Sequence, residues 1–493
     1  MTLSATSIAQ QVRAGDLDPG DVIEQAIARL TARDPEVSAY LDADFERARL
    51  QAADVAERLA RGEDPGPLAG VPVSLKDNMA VNGATLTAGS RILEGYRAPY
   101  SGHVAERLAA AGAVLLGRTN LDEFAMGAST ENSGYFPTRN PWDRSRVPGG
   151  SSGGSAAAVG AGIVPVALGS ETGGSVRQPA AFCGVTGFKP TYGSVSRFGL
   201  VAFGSSLDQI GPIAAWAEDA ALVYDVIAGH DPRDATSTPG ERARALDANA
   251  SLEGLKIGVP EEFLDDAVDK HVLERVSQAM DVLEGAGAIT RVIKRGRLQH
   301  MALSIPVYYL VACSEASANL ARFDGMRYGP RAEGDDLFEA FGKTRGQLFG
   351  PEVRRRIVLG TFALSAGYSE AWYGKALAVR RLIHDEFAAL FDEFDLIAGP
   401  TAPTGAFPLG DKSDDPYAMY LCDLLTAPAC LAGLPSVSVP CGLARKGASK
   451  GLPVGLSLTG AAGSDARVLA AARAFEAARG EPERSPLWKE PSA

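Results

Sequence analysis

Val71-Pro72-Val73-Ser74-Leu75-Lys76-Asp77-Asn78 runs from apolar to charged within eight residues. Pro65-Gly66-Pro67-Leu68-Ala69-Gly70 stands before it as a breaker. A short apolar run bounded in this way predicts a buried strand over residues 71–75. Residues 102–111 have helical spacing, and Ala113-Val114-Leu115-Leu116-Gly117 reads as a second buried strand. Strand, helix and strand in that order predict an α/β fold. Further strands are expected at 255–260, 395–400 and 436–440, and helices at 268–286 and 368–393. Upstream, Ile8, Val12, Val22, Ile23, Ala26, Ile27 and Leu30 fall near helical spacing, so residues 6–62 predict two or three amphipathic helices. The organisation expected is therefore a helical segment over 1–66 packed on the core, one large domain over 67–480, and a loose tail over 481–493. Residues 231–255 read as a surface crossover.

Composition bounds the function. The chain has 493 residues, 46% of them hydrophobic, enough for a large buried core. A net charge of −12 makes it a poor nucleic-acid binder unaided, since phosphate contact needs a positive footprint. No window reaches the ~18 apolar residues expected of a membrane span. The first residues, Met1-Thr2-Leu3-Ser4-Ala5-Thr6, show no basic flank or apolar h-region, so no secretory signal is expected. The five cysteines are scattered, with no CxxC pair, and predict buried free thiols in a reducing cytosol.

Two glycine-rich segments carry the chemistry. Gly149-Gly150-Ser151-Ser152-Gly153-Gly154-Ser155 is followed by Gly169-Ser170-Glu171-Thr172-Gly173-Gly174-Ser175-Val176-Arg177, with Ser175 lying 24 positions after Ser151. Gly173-Gly174 allows a sharp turn whose amide N–H groups, at Thr172, Gly173, Gly174 and Ser175, suit an oxyanion. The plainer alternative makes Ser175 an N-cap of the helix that follows. Gly149-x-Ser151-x-Gly153 matches the nucleophile elbow of α/β-hydrolases, but that elbow needs a strand before it, and no strand fits Asn140 to Pro148. Neither His300 nor His384 sits beside a glycine-rich or strand-end loop to complete a triad. Lys76 is the remaining element. Lysines are ordinarily solvated, yet the run before this one draws it inward, where burial disfavours the ammonium and yields a usable base. A neutral Lys76 taking a proton from Ser151, which takes one from Ser175, would activate a hydroxyl that is otherwise a feeble nucleophile. Gly342-Lys343-Thr344 ends like a P-loop, but Leu337 stands where the first glycine belongs. Neither GxGxxG after a strand nor HExxH occurs, so no metal or nucleotide site is predicted.

These residues resemble the amidase signature family, from about Leu68 to Pro212 and more weakly to about Gly460. Thr119-Asn120-Leu121-Asp122-Glu123-Phe124-Ala125-Met126-Gly127, Arg177-Gln178-Pro179-Ala180, Ser205-Ser206-Leu207-Asp208-Gln209 and the stretch Ser314 to Gly325 resemble the branch formed by the glutaminase subunits of tRNA-dependent amidotransferases. The resemblance implies a large mixed twisted sheet covered by helices on both faces. It implies catalysis by Lys76, Ser151 on a cis peptide, and Ser175, with an oxyanion hole at 172–175. Glutamine would be bound by Met126, Gly127, Tyr308, Arg356 and Asp423; Arg355 and Tyr309 are the alternates. It further implies a cytoplasmic heterotrimer with B and C subunits. ATP and magnesium are then used by the B subunit, which also binds the misacylated tRNA; no cofactor belongs to this chain, and no membrane is involved. Two departures stand out: Glu171 where the family most often has aspartate, and Arg118 for a common lysine.

Overall fold

A computed structural model describes residues 4–240 and 242–488. The readings made at Met1–Leu3 and at 489–493 lie outside the described residues. Among the described residues eleven strands form one sheet: β1 (Tyr40–Ala43), β2 (Pro72–Lys76), β3 (Val114–Thr119), β4 (Val166–Glu171), β5 (Thr186–Lys189), β6 (Gln209–Ala214), β7 (Lys256–Pro260), β8 (Ile289–Ile293), β9 (Leu396–Pro400), β10 (Ser436–Leu443) and β11 (Pro453–Gly460). Their order is β1-β3-β2-β4-β6-β5-β10-β11-β9-β7-β8. The sheet is mixed: β2 runs parallel to β3 and β4, and β7 to β8 and β9, whereas the centre from β4 through β6, β5, β10 and β11 to β9 is antiparallel.

The helices are α1 (Ala5–Ala14), α2 (Pro19–Val37), α3 (Phe45–Ala60), α4 (His103–Ala110), α5 (Gly153–Gly160), α6 (Arg177–Cys183), α7 (Ala217–Ile227), α8 (Lys270–Gly285), α9 (Ser304–Asn319), α10 (Leu337–Leu348), α11 (Pro351–Leu364), α12 (Lys375–Phe391), α13 (Pro416–Tyr420), α14 (Ala427–Leu431) and α15 (Asp465–Arg479). Side chains of successive strand residues point to opposite faces. Val73 and Leu75 of β2 therefore enter the apolar core that also takes in α7, α8, α9 and α15. Val114, Leu116 and Ala167 enter the core on the other face with α2 and α5. Ser74 and Lys76 follow the second set, and the Ser74 hydroxyl meets Tyr40 Oη at 2.8 Å on that side. The alternation of β2 thus aims Lys76 at the start of α5.

Several expectations change. The helical segment at 1–66 contains an edge strand, β1, which pairs antiparallel with β3 and joins the segment to the sheet. The helix expected over 368–393 begins as a π-helical turn at Glu370–Gly374 before α12. The tail expected to be loose from 481 docks as far as it is described. Ser485 is buried and donates to the Gly160 carbonyl at 2.6 Å, and the Arg484 guanidinium lies between the rings of Trp216 and Trp488. The helical run Met301–Arg322 is, contrary to the sequence reading, long and apolar enough to cross a membrane by composition; most of it is buried in the fold as a core helix. All five cysteines are free and buried.

Candidate active site

Lys76 closes β2 with no exposed surface. Its Nζ lies 2.8 Å from Ser151 Oγ, 2.9 Å from Ser152 Oγ and 3.2 Å from the Ser170 carbonyl. Burial pulls its pKa down to about 7, against the opposing pull of the Asp122, Asp208 and Glu171 carboxylates. Ser151 follows a cis peptide from Gly150 and is fully buried. Ser152 leads into α5. Its N–H donates to the Ser175 carbonyl at 3.1 Å, and its hydroxyl bridges the Ser170 amide and carbonyl at 3.2 and 3.1 Å. The two glycine-rich segments are therefore stitched together through Ser152, a residue the sequence reading passed over although it stands in the same Ser-Ser doublet.

Ser175 lies in the turn between β4 and α6 and is nearly buried. Glu171, the last residue of β4, holds that turn. Its Oε2 accepts the N–H groups of Val176 and Arg177 at 2.9 and 3.0 Å, and its Oε1 accepts Arg177 Nε at 2.8 Å. Glu171 rather than Ser175 thus takes the first N–H groups of α6, which closes the N-cap alternative. Among the described residues, the N–H groups of Gly173, Gly174 and Ser175 donate to no protein acceptor. Arg177 counters the buried Glu171 charge and leaves its pKa below the ordinary value.

A loop from Asp122 to Asn132 encloses the other side. The buried Asp122 carboxylate accepts N–H groups from Thr130, Asn132 and Ser129 at 2.9, 3.1 and 3.3 Å, and burial raises its pKa to about 6. Met126 and Gly127 ride on this loop; Met126 is fully buried, and a side chain at 127 would strike the Asp122 carboxyl.

The remaining residues form a polar wall over the turn. The Tyr308 hydroxyl lies 3.0 Å from Thr172 Oγ1. Any side chain at Gly174 would overlap Asp423 Oδ1 and Thr426 Oγ1, so the carboxyl presses directly on the turn. Asp423 Oδ1 is buried without a hydrogen-bond partner among the described residues. Burial, with the Glu171 charge adding to it, raises the Asp423 pKa to about 7. Arg356, on α11, is 2% exposed and donates through Nε to Glu352 Oε1 at 2.7 Å. Its guanidinium sits over the rings of Tyr309, Tyr420 and Phe203 at 4.9, 5.4 and 5.7 Å. Of the two arginines left open by the sequence, Arg356 faces inward, whereas Arg355 is half exposed and pairs with Glu352. Tyr308 reaches the turn and Tyr309 reaches Arg356.

The chain belongs to the amidase family, whose model matches residues 21–469. Among curated relatives, it is 53% identical over 476 residues to the A subunit of glutamyl-tRNA(Gln) amidotransferase from Carboxydothermus hydrogenoformans, covering 96% of each chain. It is 52% identical over 479 residues to the protein of that name from Chloroflexus aggregans, covering 97% of this chain and 96% of the relative. Among solved structures, the A subunit of glutamyl-tRNA(Gln) amidotransferase from Thermotoga maritima superposes with a TM-score of 0.78 at 41% identity, over 96% of this chain and 94% of that one. A bacterial aryl acylamidase of the amidase signature family superposes with a TM-score of 0.84 at 28% identity, over 96% of each chain.

Proposed function

We propose that the chain is the glutamine-hydrolysing A subunit of a tRNA-dependent amidotransferase, working through Lys76, Ser151 and Ser175. The proton inventory around Lys76 supports the Lys76–Ser151 half of the relay. Three oxygens surround Lys76 Nζ, and a neutral amine has two hydrogens and one lone pair. Ser152 Oγ gives its only proton to the Ser170 carbonyl and so accepts from the amine. The second amine hydrogen suits the Ser170 carbonyl, which leaves the lone pair for the Ser151 hydroxyl. Ser175 Oγ attacks the side-chain amide carbon of glutamine as its proton passes to Ser151, whose own proton passes to Lys76. The carbonyl π pair moves onto oxygen, where the free N–H groups of the 172–175 turn stabilise it. Collapse of the adduct returns a proton to the departing nitrogen, releasing ammonia and leaving a glutamyl ester. Water then cleaves the ester to glutamate by the same relay.

The observation that carries glutamine over a simple amide is the buried, unpartnered Asp423 Oδ1 in the wall that also presents Arg356. A carboxyl pressed on the oxyanion turn suits an α-ammonium, and an inward guanidinium suits an α-carboxylate; a neutral amide needs neither. Met126 and Gly127 would complete the pocket. The relatives are named as one subunit of a glutamyl-tRNA(Gln) amidotransferase, which supports a multi-subunit assembly; we propose its further workings. Ammonia passes to a B subunit, which uses ATP and magnesium on misacylated tRNA, while a C subunit braces the pair in the cytoplasm. The competing reading, a stand-alone amidase of aliphatic or aryl amides, draws on the aryl acylamidase likeness. Offering the purified chain glutamine and simple amides, with and without B and C subunits, separates the two. Ser175-dependent glutamine hydrolysis that partners stimulate is expected; broad amide hydrolysis indifferent to partners would overturn the reading.

A further inference from the structure

Behind the turn at 172–175 lies a cluster with no part in the steps above: Glu171, Arg177 and Cys430, all buried. Cys430 sits on α14, a few residues beyond Asp423 and Thr426, which press on Gly174. Its sulfur accepts Arg177 Nη2 at 3.2 Å and lies 3.2 Å from Glu171 Oε1 and 3.4 Å from the Gly173 carbonyl. A thiol has one proton for those two oxygens. Glu171 Oε1 already receives both Nε and Nη2 of Arg177. The buried Gly173 carbonyl, among the described residues, has no other donor, and such a carbonyl is costly to leave unpaired. The thiol proton therefore belongs on Gly173. The room for this arrangement comes from the two side chains together: the glutamate at 171 reaches far enough to touch the sulfur, and a two-atom side chain at 430 leaves space for it.

We propose that Cys430 is a positioning residue for the transition state. Its thiol pins the Gly173 carbonyl against α14. In the planar trans peptide that follows, the Gly174 N–H is antiparallel to that carbonyl, so it points away from α14 and stays free for the developing oxyanion. This inference rests on the glutaminase reading and names a support that reading does not contain.

The test compares Cys430→Ala and Cys430→Ser in the full chain with its partner subunits. Glutamine kinetics are measured beside the Kd of glutamate γ-semialdehyde, to which Ser175 Oγ adds to form a tetrahedral oxyanion, and the Kd of glutamate, which forms none. Cys430→Ala should lower kcat about tenfold, less than the ~100-fold or greater loss on deleting an oxyanion donor outright. The aldehyde Kd should weaken by the same factor, with KM and the glutamate Kd within about twofold of the parent. Cys430→Ser, whose hydroxyl can donate to the same carbonyl, should recover most of kcat. A kcat for Cys430→Ala within twofold of the parent would overturn the proposal. Equal losses in the alanine and serine variants, or aldehyde and glutamate affinities falling together, would do the same, because they mark general damage. A parent chain with no Ser175-dependent glutamine hydrolysis would remove the underlying reading as well; a normal parent beside an unaffected alanine variant removes only this one.

Discussion

A lysine with its amine sealed among hydroxyls behaves unlike a surface lysine, and the pH profile should show it. Burial lowers the Lys76 pKa to about 7, so the ammonium prevails below that value and the free amine above it. Only the free amine has a lone pair for the Ser151 proton. Glutamine turnover should therefore fall about tenfold per pH unit below about pH 7 and level off above it. A kcat flat from pH 5.5 to 8.5 would refute the base assignment. Lys76→Ala should cost about 10²–10⁴ in kcat, the range of a positioned general base, with the fold kept by circular dichroism. Asp423 should act on the other kinetic constant. Its carboxyl is raised to about 7 in the free protein, so below that pH a proton must leave before an ammonium can be held, and KM should climb as pH falls. Asp423→Asn should raise KM about 10–100-fold, the worth of a hydrogen bond to a charged group, with a smaller change in kcat. An unchanged KM would end its assignment to the α-ammonium.

In the proposed function helix α11, through Arg356, would set the carboxylate end of the pocket, and its fit against α9 can be tested at one residue. Gly360 lies one turn beyond Arg356, on the same inward face. A Cβ there would overlap the Cys313 carbonyl of α9 and approach the Ser314 nitrogen to 3.0 Å. Gly360→Ala must push the two helices apart, at a cost of about 1–3 kcal/mol for overpacking. The expected result is a lower Tm together with a higher KM for glutamine and a nearly unchanged kcat, because Arg356 moves and Ser175 does not. Gly342→Ala, on α10 in open space, is the control: it should leave KM alone and, because alanine is favoured over glycine inside a helix by about 1 kcal/mol, hold or raise Tm. A KM unmoved in Gly360→Ala would detach α11 from the pocket. The same helix shows what was legible in the sequence. Arg354-Arg355-Arg356 carries no periodic signal strong enough to say which arginine turns inward; only the packing of α11 decides it. By contrast, β2, β3, β7, β9 and β10 were readable because each is an apolar run with breakers at its ends. The other six were not: β1 and β8 are edge strands, β5 has only four residues, and β4, β6 and β11 are interrupted by Gly169, by Gly211-Pro212 and by Gly455. Lys76, Ser151 and Ser175 could be picked out because glycines and strand ends flank them. Ser152 could not, because nothing local separates its role from that of its neighbour Ser151, nor could Cys430, because it stands in no motif and meets Glu171 across 259 positions of chain.

Across the whole molecule, large apolar side chains left in water collect on one part of the chain. Phe338 of α10, Val358 and Phe362 of α11, and Tyr368 and Trp372 beyond it are 87%, 68%, 51%, 47% and 45% exposed. The Phe362 and Tyr368 rings lie 5.1 Å apart, so part of this surface is contiguous. Exposed apolar patches on soluble proteins mark contact surfaces more often than single scattered residues do. The curated relatives are named as one subunit of an amidotransferase, and we predict that a neighbouring subunit covers this face. Because α11 presents Arg356 on its inner side and Val358 and Phe362 on its outer side, a subunit seated there would press on the helix that carries Arg356. Phe362→Ser combined with Trp372→Ser should leave basal glutamine hydrolysis by the isolated chain within about twofold. The same pair should weaken association with the B and C subunits at least tenfold, about 1.4 kcal/mol, in a sedimentation or calorimetric titration. It should also abolish stimulation by those subunits at concentrations that saturate the parent chain. Unchanged association would place the partners on another face and leave these side chains without a role in assembly.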